Sequence, residues 1–137
     1  MGLINKISFK VLGDNTGSLI ALNGSKDLPF DIKRVYYIFG TKKGISRGFH
    51  AHIDLSQVIV CLKGRCRFIL DDGKHKEETI LNDPTKGLII DGLVWREMYD
   101  FSPDCILLVL ANSAYAEDDY IRNYEKFIEE VERKNSE

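Results

Sequence analysis

The chain is 137 residues long, 44% hydrophobic and 29% charged, with a formal net charge of −2 at pH 7. That length fits one domain spanning residues 1–137, with enough chain to bury a core. The charge excludes a global basic field for nucleic acid, no apolar run reaches membrane-spanning length, and the N-terminus lacks a signal peptide's apolar stretch. A cytoplasmic protein is therefore expected.

Taken in chain order, the sequence reads as short strands between turn signals. Candidate strands cover roughly 3–12, 17–22, 32–39, 47–52, 56–63, 65–71, 76–81, 86–91, 93–100 and 104–111. Gly13-Asp14-Asn15, Gly40, Gly44, Gly64, Asp71-Asp72-Gly73 and Asn82-Asp83-Pro84 punctuate them, and Asp72-Gly73 is the strongest hairpin signal. So many strands at this spacing predict a sandwich or barrel rather than a βαβ fold. Only the C-terminus changes period. Tyr120, Ile121, Tyr124, Phe127, Ile128 and Val131 follow helical spacing, which predicts a helix of about three turns from Tyr120 onward. Cys61, Cys66 and Cys105 lie in apolar strand-like runs without Cys-x-x-Cys spacing, so they are expected to be buried free thiols.

The segment from Gly44 to Gly64 carries the chemistry. His50 and His52 are two apart on one strand and share a face with Gly48; Gln57 joins them if the intervening turn restores the phase. The segment resembles the first cupin motif, Gly-x5-His-x-His-x4-Glu-x6-Gly, with Gln57 in place of the glutamate. The second cupin motif supplies another histidine ligand, and here the matching stretch is Ile90-Asp-Gly-Leu-Val-Trp95, with Trp95 at the ligand position. An amide and an indole N–H are poor ligands, so no catalytic metal is expected. Two close imidazoles hold each other's pKa down, which keeps at least one neutral and suits proton transfer to and from carbon instead.

Four segments extend the resemblance: Pro29–Ile38, Arg47–His52, Leu93-Val-Trp-Arg-Glu-Met98 and Asp119-Tyr-Ile-Arg-Asn-Tyr124. In order, and over roughly residues 5 to 127, the chain is similar to the dTDP-4-keto-6-deoxyglucose 3,4-ketoisomerases. That resemblance implies an all-β cupin jelly roll (a double-stranded β-barrel) with a short C-terminal helix. It implies a homodimer that exchanges N-terminal strands, and a cofactor-free shift of the sugar ketone from C4 to C3 on the route to 3-amino-3,6-dideoxy sugars. The expected catalytic residues are His50, as the base at C3, His52, orienting it or shuttling the proton, and Tyr36. Expected substrate contacts are Arg34, Tyr37, Arg47, Gln57, Trp95, Arg96 and Arg122. Arginine forks serve for the diphosphate because no Gly-rich loop runs into a helix. Alternation puts Tyr36 and Tyr37 on opposite faces, with Arg34 sharing the parity of Tyr36. For Trp95, stacking on substrate and a place in the core both stay open. Members carry Arg or His after the tryptophan, and Arg96 leans the C4 configuration of the product toward gluco. The competing readings are a sugar-nucleotide 3,5-epimerase, a non-catalytic sugar-binding cupin and a metal-dependent dioxygenase.

Overall fold

The fold was obtained as a computed structural model, which describes residues 2–136. In chain order the strands are β1 (Asn5–Ser8), β2 (Leu12–Asp14), β3 (Gly17–Leu19), β4 (Arg34–Ile38), β5 (Arg47–His52) and β6 (Ser56–Lys63), then β7 (Cys66–Asp71), β8 (Lys76–Leu81), β9 (Lys86–Asp91), β10 (Trp95–Tyr99), β11 (Ile106–Ala111) and β12 (Tyr120–Ile121). One helical turn, α1 (Gly24–Asp27), precedes β4, and a longer helix, α2 (Tyr124–Asn135), follows β12. The first sheet runs β1-β9-β6-β11-β4 and the second β12-β5-β10-β7-β8, with β2 and β3 pairing as a separate hairpin. The pairings are antiparallel throughout, as closely spaced hairpins and Greek-key returns require. This is the jelly roll that the family resemblance implies.

Alternation along the strands fills the space between the sheets. Ile59 and Cys61 on β6, Phe68 and Leu70 on β7, and Leu107 and Val109 on β11 are buried there with Leu88, Ile90 and Met98. Strand β6 is apolar on both faces because its outer side is covered as well. Val58 and Val60 pack outward under Phe9 and Leu28, with Phe30 and Ile32 against them. On the second sheet, α2 lays Phe127 over Ala51 and Trp95. Asn123 caps that helix by accepting the Lys126 N–H at 3.0 Å, while Arg133 and Lys134 sit at its carboxyl end.

Three expectations are corrected in detail. The 3–12 run breaks into β1 and β2, because Leu12–Asp14 turns away into an exposed hairpin; β3 likewise stops at Leu19. The helix begins at Tyr124 rather than Tyr120, since Tyr120 and Ile121 pair with His52 and Ala51 as a strand. The Asp72-Gly73 hairpin forms, but Asp71 pairs with Lys76 and the loop between them has four residues. Asp72 holds that loop by accepting the N–H groups of Lys74 and His75. Cys61, Cys66 and Cys105 are free and buried, and burial raises their thiol pKa values, to about 12 for Cys61.

Candidate active site

A cavity of about 510 Å³ opens between the sheets, lined by Tyr36, Arg47, Gly48, His50, Met98, Tyr120 and Arg122, with Tyr37 and Ile38. Strand β4 supplies Tyr36 because Arg34, Tyr36 and Ile38 alternate inward while Val35, Tyr37 and Phe39 face out. Tyr37 is 62% exposed and packs on Phe39, so it borders the opening only. Strand β5 bulges where it supplies His50. Arg96 pairs with His50 and Glu97 with Gly48, so Phe49 is the extra residue, held at a φ of 58°. Gly48, at a φ of 91°, lets the bulge close on β10. A Cβ there would meet the Arg96 carbonyl oxygen at 3.0 Å.

Behind the opening a chain of hydrogen bonds crosses from one sheet to the other. The Arg96 Nη1–H donates to Gln57 Oε1, and Gln57 Nε2–H donates to the Tyr36 hydroxyl at 3.1 Å. A guanidinium has only donors, so it fixes the Gln57 amide with its oxygen toward Arg96 and its nitrogen toward Tyr36. The Tyr36 oxygen is thereby an acceptor from Gln57, and its own proton is left to donate toward the cavity. Burial raises the Tyr36 pKa, so it stays a phenol.

The histidines are neutral. Burial first, and the Arg96 charge second, lower His50 to about 4 and push His52 lower still. Arg96 is 2% exposed, and desolvation brings it down to about 10, so it remains a cation near neutrality. The rings of His50 and His52 stand perpendicular at 5.0 Å, and Tyr120 lies 5.2 Å from His50 and 4.3 Å from His52. Among the described residues, the buried side-chain polar atoms without a partner are Arg34 Nε and Nη2, His50 Nδ1, His52 Nε2 and Arg96 Nε. All five belong to residues expected at the site. Such desolvated, unpaired groups gather where a ligand completes them.

The placement of Trp95 corrects its assignment. The register sets Arg96 opposite His50 and Leu70, whereas Trp95 is opposite Asp71. Arg96 therefore takes the inward position, and the indole turns out beneath α2, 5.7 Å from Phe127 and 5.3 Å from Tyr124. Its N–H donates to Glu97 at 2.9 Å. Trp95 holds the helix and does not line the cavity. Trp95→Ala is expected to cost about 3–5 kcal/mol of stability, read as a lower Tm, while KM of the folded protein stays near wild type.

At the rim, Arg47 is free to meet solvent, and Arg122 is held by both oxygens of Glu117 at 3.0 Å while lying 4.2 Å over the Tyr120 ring. The Arg34 guanidinium lies 5.0 Å over Tyr36. A larger depression of about 640 Å³ opens between β12 and α2, but none of the five unpaired atoms belongs to its lining residues. Among the described residues, no group of three or more His, Cys, Asp or Glu is placed to hold a metal ion. The Arg96 charge, which lowers the pKa of both histidines, also opposes a divalent ion there. Tyr120 was missed as a site residue because helical spacing absorbed it, and Asp119 because its contact with His52 spans 67 positions of the chain.

The model of the family described as FdtA, WxcM-like, C-terminal, matches residues 4–132. The chain belongs to this family. Among its WxcM-like relatives, the TDP-4-oxo-6-deoxy-alpha-D-glucose-3,4-oxoisomerase of Aneurinibacillus thermoaerophilus is 52% identical over 96% of this chain and 94% of its own. A sugar 3,4-ketoisomerase from Thermoanaerobacterium thermosaccharolyticum, solved in complex with TDP, is 47% identical over 96% of each chain, with a TM-score of 0.93. A histidine-to-asparagine mutant of that protein, solved with TDP-4-keto-6-deoxyglucose, is 45% identical over 100% of this chain and 99% of its own, with a TM-score of 0.94. An epimerase of Mycobacterium tuberculosis, 14% identical over 84% of this chain and 66% of its own, shares the fold with a TM-score of 0.69.

Proposed function

We propose that this chain is a TDP-sugar 3,4-ketoisomerase that converts TDP-4-keto-6-deoxyglucose into the 3-keto isomer. The observation that carries this reading is a neutral imidazole and a donor phenol facing one cavity, His50 on β5 and Tyr36 on β4. In a 4-ketosugar the adjacent carbonyl acidifies the C3 hydrogen. His50 removes that proton, and the electron pair of the C3–H bond becomes the enediolate double bond. Tyr36 donates to the oxygen at C4, which gains electron density as the proton leaves. The oxygen at C4 takes up a proton as the C3 hydroxyl gives one up, and His50 returns its proton to C4. The product is the 3-ketone with a hydroxyl at C4, and atoms and electrons balance. Arg96 adds fixed positive charge behind the enediolate at no cost of reorganisation.

The nucleotide end falls to Arg34, Arg47 and Arg122, whose forks suit a diphosphate. Arg122 exchanges Glu117 for phosphate when the ligand enters. A homodimer with exchanged N-terminal strands is part of the same reading. Supporting it are apolar side chains left exposed on the N-terminal hairpin and on the outer face of β4: Val11, Leu12, Leu19, Val35 and Phe39. Cytoplasmic residence is part of this reading, supported by the free thiols; no described helix is long and apolar enough to cross a membrane.

Incubation with TDP-4-keto-6-deoxyglucose, followed by NMR assignment of the ketone carbon, tests the reading. A ketone at C3 supports it, and binding without turnover, or a ketone that stays at C4, overturns it. The pH dependence has a fixed sign. A base whose pKa is lowered stays unprotonated through neutrality, so kcat/KM should hold level and fall with an apparent pKa near 4. An acid limb at the ordinary imidazole value of 6.5 would contradict the environment described for His50.

A further inference from the structure

Asp119 stands immediately before β12, and the pairing of Tyr120 with His52 sets its carboxylate beside that imidazole. Its Oδ2 lies 3.0 Å from His52 Nδ1. The other oxygen accepts the Asp54 N–H at 3.0 Å, and the Asp119 carbonyl accepts the Ile53 N–H at 3.0 Å. The carboxylate is therefore held at two points and the backbone carbonyl at a third, by the last residue of β5 and the turn that follows it. His52 itself is fully buried.

An ionised carboxylate has no proton to give, so the hydrogen in this contact is on His52 Nδ1. The neutral ring then carries its lone pair on Nε2. That nitrogen is buried without a partner, and so is Nδ1 of His50, on the ring 5.0 Å away at 88°. The two nitrogens are complementary: an acceptor on His52 and a nitrogen of His50 able to carry a hydrogen, with the Gly48 carbonyl as the other acceptor beside the His50 ring. If His50 carries its hydrogen on Nδ1, its Nε2 is left bare toward the cavity.

We infer that Asp119 is a positioning residue. It locks His52 as the Nδ1–H tautomer, and His52 Nε2 in turn accepts from His50 Nδ1–H when substrate fills the cavity, so that His50 Nε2 faces C3 as the base. The hydrogen-bond series runs Asp119, His52, His50, substrate, and no proton need leave His52 or reach Asp119. This explains why His52 sits out of solvent, where it is screened from the sugar yet touches both the carboxylate and the ring of His50. It also gives the Asp119-Tyr120 segment a purpose distinct from packing, since Tyr120 covers the two rings while Asp119 orders their protons.

The proposal rests on the reading of His50 as the base, and the test separates the two. Asp119→Asn keeps the size of the side chain, but its amide can donate to Nδ1 and stabilise the opposite tautomer. By analogy with the corresponding exchange in the serine-protease triad, kcat should fall by about 10²–10⁴-fold with KM little changed, because substrate contacts remain. Asp119→Glu, which keeps a carboxylate, should recover part of the rate. Nitrogen-15 NMR of histidine-labelled protein gives a readout independent of turnover. Wild type should show His52 with a protonated Nδ1 and a bare Nε2, and the Asn variant should reverse them. A His52 protonated on Nε2 in wild type, or a folded Asn variant with an unchanged kcat, overturns the proposal. Wild type that fails to isomerise would instead overturn the reading on which it rests.

Discussion

His50→Asn is expected to reduce kcat by about 10²–10⁴-fold while leaving the affinity for TDP within a few-fold of wild type. Asparagine is close to histidine in size and polarity, so the bulge at Phe49 and the facing Arg96 have no reason to move. Its amide nitrogen, however, has no basic lone pair, and nothing else lining the cavity combines neutrality with basicity: Arg47 and Arg122 are cations, and Tyr36 is held as a phenol. The arginines proposed for the diphosphate are untouched, so binding is expected to survive the loss of chemistry. Calorimetry with TDP beside single-turnover NMR separates these effects. A variant that keeps most of the wild-type rate would transfer the role of base to His52.

Tyr36→Phe should cost about 10²–10³-fold in kcat, the usual toll for removing one preorganised donor to a developing oxyanion. The consequence runs backward along the chain of hydrogen bonds. Gln57 Nε2 loses its acceptor in a buried site, which costs about 1–3 kcal/mol unless water replaces it. The Arg96 contact with Gln57 Oε1 remains, so the amide keeps its orientation. KM should change little, because the phenol grips the oxygen at C4 most tightly when charge builds there. A rate close to wild type would mean that the enediolate is stabilised by Arg96 and its surroundings without the phenol.

The strands were legible wherever one face is buried and turn residues punctuate the run, as for β5 to β11. Their edges fall within a few residues of the expected ones. The hairpin of β2 and β3 was legible only in part: the 17–22 run covers β3 and Gly13-Asp14-Asn15 marks a turn, but β2 was merged into the 3–12 run because its residues are exposed and show no buried face. Tyr120 fell into helical spacing with Tyr124 and Phe127 by coincidence, since side chains on a strand and on the helix that follows it converge on one surface. Within the site, the two-residue period ordered Arg34, Tyr36, His50 and His52 correctly. The same rule is unforgiving of a one-residue shift, and counting from the cupin spacing put Trp95 where the fold has Arg96. The contact between His52 and Asp119 joins residues 67 positions apart, through a two-residue strand, and no local pattern announces it.

The central claim is that a neutral imidazole moves a proton between C3 and C4 of the sugar. Turnover in D₂O, followed by proton NMR of the product, measures this directly. The account predicts that the C3 hydrogen is lost, the new C4 position carries solvent deuterium or the transferred protium, and C5 keeps its protium. Deuterium at C5 with the ketone still at C4 would identify an epimerase and contradict it.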